Sequence, residues 1–354
     1  MFSDAFLEPY RSRSDDLADA AIAEVPEAAP GGLLVAVEAK AARGSKASHR
    51  LIAHAFEVPP WVDFKAMKPG HARGLERSIR SGLTLLAASL VESFASANAA
   101  KVLVSSGRLR KAPERRLFET ARFVFDIALS GGAPPGSSAH RNVVEVRLLH
   151  AFIRGKLVAR GDWDPSFGHP INQEDYASTL LMFSHVYVRG LERLGARFTD
   201  EERAAVHHTW RWVGHLMGVD DALLSRDVAE EHVLYEAMSR RQFVPNDDSR
   251  SLAHGLLDAM AGRAPFYLPA VALHTLSRRL IGDRLGDALR LRKSDPWERA
   301  FGALAHAASL QDRVERALPR GRVAARTIGT AFTERVIRDG LRASGESWAT
   351  SRPH

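Results

Sequence analysis

One stretch near the middle of the chain, residues 140–156 (HRNVVEVRLLHAFIRGK), restricts the possible folds more than any other. Its apolar residues fall on every side of a helix, a pattern typical of a helix buried inside a larger protein. On that helix Arg147, His150 and Arg154 lie within about 60° of one another, at roughly 100° per residue. Glu145 lies on the opposite side. The pattern predicts a buried helix with a cationic stripe centred on a histidine.

A cationic stripe on a buried helix needs partners, because removing a charge from water costs several kcal/mol. One interpretation is that an anionic group or a metal ion faces the stripe. The alternative is that the two arginines pair with carboxylates on neighbouring helices, and that His150 is a core residue with its hydrogen bonds satisfied. The residues of the stretch leave both interpretations open.

Composition excludes several classes of protein. The chain has 354 residues, of which 45% are hydrophobic, enough to bury a large core in one big domain or two ordinary ones. It has no cysteine, which excludes disulfides, cysteine-ligated iron–sulfur clusters, thiolate-ligated haem and cysteine zinc sites. The net charge of +7 permits nucleic acid as a partner. Because the basic residues form no dense run, we expect a solvated arginine-rich surface and no nucleic-acid partner.

The N-terminal residues are polar and acidic and lack the apolar core of a secretory signal. The longest aliphatic run, near Leu83–Val91, is far shorter than the ~20 residues that span a bilayer. We therefore expect a cytoplasmic protein without a transmembrane segment.

Helical periodicity dominates the chain, and no segment has convincing strand periodicity. The predicted helices cover residues 15–25, 33–43, 48–56, 74–99, 113–129, 140–156, 173–194, 200–217, 220–240, 249–261, 269–281, 297–316 and 322–343. Asn172 is a suitable N-cap, and Thr199 with Glu202 forms a capping box. The predicted fold class is all-α, a single domain over residues 1–354. Short N-terminal helices in residues 1–70 are expected to pack on its core, and residues 341–354 to form a flexible tail.

Common catalytic motifs are absent. The chain contains no GxGxxG, GxxxxGK[ST], GxSxG or HExxH, so it offers neither the usual phosphate-binding loops nor the common hydrolase motifs. Ligation of haem iron by a histidine on a buried helix remains compatible with the sequence.

Residues 146–154 (VRLLHAFIR) resemble the VRxxHAxxR motif of the latex clearing protein (rubber oxygenase) family, which includes the mycophenolic-acid-pathway membrane oxygenases. Segments elsewhere are similar to the same family, so the resemblance covers most of the chain. These segments are Asp16–Asp19, Pro60–Asp63, Gly107–Leu109, Arg116–Thr120, Pro170–Asp175, Trp210–Gly218 and Leu280–Leu289.

The resemblance implies an all-α fold with a globin-like core that holds one haem b. It implies that His150 is the proximal iron ligand and that Arg147 and Arg154 lie beside the haem, where propionates could partner them. Arg116 and Thr120 are one helical turn apart and share a face. By resemblance this face lines the distal, oxygen-binding side.

Two departures from the family pattern concern the distal side. Rubber-cleaving members have a lysine directly before the threonine that can cap the iron, and this chain has Glu119 there. Those enzymes also use a glutamate base upstream of the Gly-Arg-Leu segment. Residues 94–100 contain no carboxylate, and Glu92 is the nearest candidate. The chain also lacks the secretion signal of rubber degraders, which favours a smaller isoprenoid over an extracellular polymer as substrate.

Three functional hypotheses follow. The first is a haem b-dependent oxygenase that acts with dioxygen on an apolar, unsaturated substrate, with catalytic residues Arg116, Glu119 and Thr120. The second is a haem-binding or haem-sensing protein without turnover, and the third is a basic helical adaptor without haem. The sequence leaves the oligomeric state open.

Overall fold

A computed structural model describes residues 1–25, 31–105, 113–316 and 319–343. Helices make up nearly all regular structure in these segments, and an isolated antiparallel bridge joins Ser96 to Phe243. The predicted all-α class is therefore confirmed. The globin-like arrangement of the core stays a prediction.

The helices described before residue 106 are short. Their bounds are α1 Asp4–Leu7, α2 Asp16–Ile22, α3 Leu33–Ala42, α4 Lys46–Phe56, α5 Lys68–Glu76, α6 Ser78–Thr84, α7 Val91–Ser93 and α8 Ala97–Ser105. A π-helical segment, Leu85–Leu90, joins α6 to α7.

The long helices follow, with several shorter ones between them. Their bounds are α9 Pro113–Leu129, α10 Ser138–Ala159, α11 Gln173–Phe183, α12 His185–Arg193, α13 Asp200–Leu216, α14 Val228–Gln242, α15 Asp247–Ala259, α16 Ala270–Ile281, α17 Asp283–Ala288, α18 Asp295–Arg316 and α19 Pro319–Ala343.

Local sequence signals placed several helix ends correctly. The capping box of Thr199 and Glu202 is present at the start of α13. Asn172 caps α11, where Asp175 completes a second capping box. Both boxes satisfy backbone N–H groups that the first turn of a helix leaves unpaired.

Three predicted continuous helices are wrong. The one over 220–240 begins only at Val228, after a 3₁₀ turn at Asp221–Leu223. The segment 173–194 divides at Ser184, whose backbone leaves the helical region and whose hydroxyl donates to the Leu180 carbonyl at 3.2 Å. The segment 74–99 breaks first at Arg77, where Nε donates to the Asp312 carboxylate at 2.6 Å. At Ser184 and Arg77 side-chain hydrogen bonds accompany the break, and the partner of Arg77 is more than 200 residues away in sequence.

Helix α10 lies at the centre of the fold, packed against α2, α3, α9 and α13. One side of it joins the main hydrophobic core. Its Val144, Leu148 and Ala151 join a smaller core formed with α2, α3 and α4. Apolar surfaces thus cover α10 on opposite sides, as its pattern predicted.

Helix α19 packs on α5 and α9. The contact is close at Gly329, where a Cβ atom would clash with the carbonyl oxygen of Leu75. Residues 341–343 of the predicted flexible tail belong to this helix, and the rest of that tail lies outside the described residues. The predicted boundary at residue 70 stays a prediction.

None of the described helices combines the length and the hydropathy needed to cross a membrane.

The fold predicts a loss of stability in mild acid. Burial, with Arg189 and His232 nearby, lowers the pKa of His185 from 6.5 to about 3. The unfolded chain therefore binds the proton more readily, so this contribution to stability is complete above pH 6.5 and declines as the pH falls toward 3. We expect His185→Phe, which can still stack on Tyr235, to flatten the fall in unfolding free energy between pH 6.5 and 4 in urea titrations.

The matched control is His49→Phe, because His49 is exposed on α4. It should leave the pH dependence unchanged. Equal slopes for native protein and His185→Phe would contradict the assignment.

Candidate functional site

His150 lies on α10 with its ring half-buried. Its Nδ1 atom is buried and has no hydrogen-bond partner among the described residues. The ring centroid is 5.5 Å from that of Tyr176 on α11. Such unpaired polar atoms are uncommon in protein interiors and require an explanation.

The surroundings of His150 keep its ring neutral. Burial lowers its pKa to about 3, and the positive charges of Arg116 and Arg154 act in the same direction. A neutral imidazole is the form that binds metal ions, because a ring nitrogen must offer a lone pair. His150 is therefore chemically suited to ligate iron.

Arg147, one turn before His150, is fully engaged by protein groups. Its Nε donates to Oδ2 of Asp15 at 2.6 Å, and Nη2 donates to Oδ1 at 2.8 Å. Its Nη1 donates to the Leu216 carbonyl at 3.2 Å and lies 3.2 Å from Nδ1 of His54. The side chain is 1% exposed, so its N–H groups face protein atoms and not solvent.

Arg154, one turn after His150, has the same kind of environment. Its Nη2 donates to Oδ1 of Asp19 at 2.6 Å, and Nη1 donates to the Ile171 carbonyl at 2.8 Å. Asp15 and Asp19 lie one turn apart at the start of α2. The geometry therefore favours the alternative in which neighbouring carboxylates partner both arginines. Their binding of haem propionates stays a prediction.

The connection between α13 and α14 completes this polar cluster. Gly218 has a φ of +79°, and a Cβ atom there would lie 2.6 Å from both Nη2 of Arg147 and Oδ2 of Asp15. The Gly218 carbonyl accepts from the side chain of Gln173, which also donates to the Ser14 carbonyl. Glycine is required here both by the backbone angle and by the nearby ion pair.

The three predicted distal residues lie together on α9. Glu119 accepts from Nε of Arg115 at 2.8 Å and from Nη1 of Arg116 at 3.4 Å. The hydroxyl of Thr120 donates to the Arg116 carbonyl at 2.8 Å. The Arg116 side chain is 40% exposed, and its charge helps to lower the pKa of His150. Because α9 packs against α10, Arg116 is a partly exposed cation close enough to His150 to affect its pKa.

Glu92, the other acidic candidate, is fully buried. Its carboxylate accepts from Arg189 at 2.5 Å and from the hydroxyl of Tyr235 at 2.6 Å. Burial raises its pKa, against the opposing effect of Arg189. The predicted Gly107–Leu109 segment lies outside the described residues.

Sequence reasoning missed a cluster of His254, Asp258 and His274, whose potential ligand atoms lie within 4.8 Å of one another. The cluster joins α15 to α16 and has protein partners. Nη2 of Arg292 donates to Asp258 at 2.6 Å, and Nε2 of His254 lies 3.1 Å from the Leu289 carbonyl. We assign it a structural role, because Arg292 already neutralises the carboxylate. The cluster brings together residues from two helices, so no sequence motif predicts it.

Sequence reasoning also missed an apolar cavity between α5, α9, α13 and α19. Its empty volume is about 1090 Å³, counted with its open mouth. Most of the wall is aliphatic or aromatic, and it includes Leu117, Phe118 and Ala121 from α9. His71 and Thr209 are among its few polar wall residues. The six predicted site residues are not part of this wall.

Comparison with known proteins identifies the family. Residues 76–310 match the family model described as the catalytic domain of the ER-bound oxygenase mpaB/B'/rubber oxygenase. The match covers more than half of the chain. The chain belongs to this oxygenase family. The resemblance inferred from residues 146–154 is therefore confirmed.

A relative and a solved structure agree with this assignment. The rubber oxygenase of Streptomyces sp. (strain K30) is 24% identical over 250 residues, which cover 70% of this chain and 61% of the relative. The structure of latex clearing protein in the closed state aligns with a TM-score of 0.67 and 20% identity, covering 80% of this chain and 79% of the other. The chain thus spans about three fifths of the relative's length, and the solved structure supports the fold.

The family match has a structural consequence. It begins at residue 76, so the partners of its two buried arginines, Asp15 and Asp19, come from a segment before the matched range. The N-terminal helices therefore complete the polar cluster of the oxygenase-family domain.

The cluster predicts strong dependence of the fold on one carboxylate. Asp15→Asn preserves the size of the side chain but removes the negative charge that faces Arg147. Breaking a buried ion pair from one side costs about 3 kcal/mol or more, so we expect the free energy of unfolding in urea to fall by about that amount.

Asp16→Asn is the control, because Asp16 is exposed on the same helix. Its effect should stay within about 0.5 kcal/mol. Equal, small effects of the two substitutions would contradict the role of the Asp15–Arg147 pair.

Proposed function

We propose that this chain is a haem b-dependent oxygenase that acts with dioxygen on an apolar, unsaturated substrate. The observation that carries the proposal is His150, a neutral imidazole with an unpaired buried Nδ1 on the central helix of an oxygenase-family chain. Other histidines, among them His140 and His169, also have an unpaired buried ring nitrogen, and His150 differs from them by its place in residues 146–154, which resemble the family motif.

The residues around His150 fit a haem in some respects and not in others. The imidazole offers a lone pair, and Arg116 offers a partly exposed cation for an anionic group. Arg147 and Arg154 are occupied by Asp15 and Asp19. We therefore propose that His150 holds the iron and that the two buried arginines act as positioning residues. When bound, haem iron supplies the site for dioxygen binding and activation.

The side chains of this protein would orient the reactants. The two arginine–aspartate pairs would fix the position of α10. They would therefore also fix the position and orientation of the His150 ring. Arg116 would place positive charge on the side where dioxygen and substrate meet, where a preorganised cation stabilises developing negative charge. Thr120 donates its proton to a backbone carbonyl, so its oxygen remains able to accept a hydrogen bond.

Glu119 is better suited to hold Arg116 than to act as a base. Its two carboxylate oxygens accept from Arg115 and Arg116, so both oxygens are already engaged by arginine N–H groups. A base must accept a proton in the reaction. We propose that Glu119 positions Arg116. Glu92, which is buried with Arg189 and Tyr235, would serve the fold.

The proposed substrate class follows from the family. Its curated relative is named a rubber oxygenase, and a polyisoprene-like chain contains carbon–carbon double bonds in an apolar backbone. We propose a smaller isoprenoid for this chain and retain the cytoplasm as its predicted location. The predicted absence of a nucleic-acid partner stays a prediction.

The first test concerns the iron ligand. Haem added to the purified chain should produce a sharp Soret band, and His150→Ala should lose it while its far-ultraviolet circular dichroism stays native. The matched control, His306→Ala, removes an exposed histidine on α18 and should leave the band unchanged. Identical spectra for native protein and His150→Ala would contradict the assignment.

The second test concerns turnover. Haem-loaded protein should consume dioxygen with squalene and not with squalane, which has the same carbon skeleton without double bonds. Arg116→Leu should lower the rate at least tenfold while retaining the Soret band, because it removes the cation and leaves His150 in place. Equal uptake with both hydrocarbons would contradict oxidation at a double bond.

The alternative of a haem-binding protein without turnover rests on the departures at Glu119 and residues 94–100. It predicts full haem occupancy with no dioxygen uptake across a panel of unsaturated isoprenoids. The adaptor hypothesis predicts no Soret band and retention on heparin that is lost with modest salt.

A further inference from the structure

The apolar cavity between α5, α9, α13 and α19 extends into the main hydrophobic core. Its wall includes buried members of that core from three of these helices, namely Phe125, Ile127, Trp210 and Ile337. The space that the centre of a water molecule can enter measures about 140 Å³. An apolar cavity of about 150 Å³ engineered into another protein stays dry and binds benzene or xenon. The cavity is therefore large enough for a compact ligand of the size of benzene.

The cavity is separate from the predicted haem site, although both use α9. Phe118 and Ala121 line the cavity, whereas Arg116 and Thr120 do not. Part of the wall comes from segments outside the family match, since Gly70 precedes residue 76 and α19 follows residue 310. The cavity therefore depends on segments that flank the oxygenase-family range.

The hydroxyl groups of the wall donate their protons within the protein. The Tyr187 hydroxyl donates to Oγ of Ser81 at 2.8 Å, and Ser81 donates to the Gly74 carbonyl at 2.8 Å. The Thr333 hydroxyl donates to the Gly329 carbonyl at 2.9 Å. A ligand with a hydrogen-bond acceptor therefore gains no proton from these three side chains.

The two polar wall residues between α5 and α13 are directed toward each other. The Thr209 hydroxyl lies 2.8 Å from the Ala205 carbonyl and 2.9 Å from Nε2 of His71. Its proton therefore has a partner within the protein in either tautomer of the ring. Nδ1 of His71 has almost no accessible surface, so a ligand in the cavity does not reach it.

Such a wall holds water poorly. A buried water molecule needs two to four polar partners, and most of this wall is aliphatic or aromatic. An apolar molecule that displaces poorly held water gains affinity, because few hydrogen bonds are lost in the exchange.

We propose that this cavity is a binding site for a compact hydrocarbon of about the size of benzene, held by contact with the apolar wall and by no hydrogen bond. Burial of the hydrocarbon supplies the affinity. This binding activity goes beyond the proposed oxygenase function and requires no haem.

The first test compares benzene with pyridine by isothermal titration calorimetry on the full chain at neutral pH. The two rings have nearly the same shape, but the pyridine nitrogen loses its hydrogen bond to water unless the wall supplies a donor. We expect saturable binding of benzene and an affinity for pyridine that is at least about tenfold lower. Equal affinities, tighter binding of pyridine, or no saturable binding of benzene would overturn the proposal.

The second test locates the site with matched variants of α19. Val336 belongs to the wall, and Val336→Phe should weaken benzene binding at least about tenfold by filling the space, with native circular dichroism retained. Val323→Phe is the control, because Val323 is 55% exposed on the same helix and is not part of the wall. It should leave benzene binding unchanged. Equal benzene affinities in the two variants would place the site elsewhere.

Two further variants keep the test independent of how α19 tolerates a larger side chain. Ala128→Leu fills the cavity from α9 and should also weaken benzene binding. Ser78→Ala removes a wall hydroxyl and should leave the affinity for benzene unchanged, because the proposed site uses no hydrogen bond. Unchanged binding in Ala128→Leu, or lost binding in folded Ser78→Ala, would overturn the proposal. These measurements need neither haem nor dioxygen uptake, so their failure is distinguishable from failure of the oxygenase assays.

Discussion

The rest of the structure depends on the buried ion pair between Arg147 and Asp15. A guanidinium in the interior is tolerated only when carboxylates and carbonyls satisfy its N–H groups. The protein meets this requirement by bringing the start of α2, the end of α13 and Gly218 to one point on α10. Two separated segments are thereby held against the central helix.

This arrangement separates the roles of the three residues in the cationic stripe. The two arginines stabilise the fold, because their guanidinium groups form ion pairs with Asp15 and Asp19. His150 between them keeps an unpaired buried nitrogen. The cation with exposed surface near it comes from Arg116 on the neighbouring helix. Rigid support on one side and an unpaired nitrogen on the other are what the proposed role of His150 as an iron ligand requires.

Local sequence signals predicted the helices well and their interruptions poorly. The capping boxes at Asn172 and Thr199 each span four consecutive residues, so they can be recognised in the sequence. The break at Arg77 involves Asp312, 235 residues away, and no local pattern contains that information. The same distinction between local and long-range information applies to the candidate site. Residues 146–154 identified the family and made His150 the predicted iron ligand, whereas the partners of the arginines required the tertiary structure.

The amino-acid sequence by itself determined the all-α class, the central position of residues 140–156 and the family, because helical periodicity and a short motif are properties of contiguous residues. Only the tertiary structure decided that Asp15, 132 positions from Arg147, neutralises it, and that His71 and Thr209 share the wall of a cavity. The physical reason is that burial and hydrogen-bond geometry arise from contacts between distant segments. The charge pattern of a buried helix indicates that its cations need partners. Only the tertiary structure determines which residues those partners are.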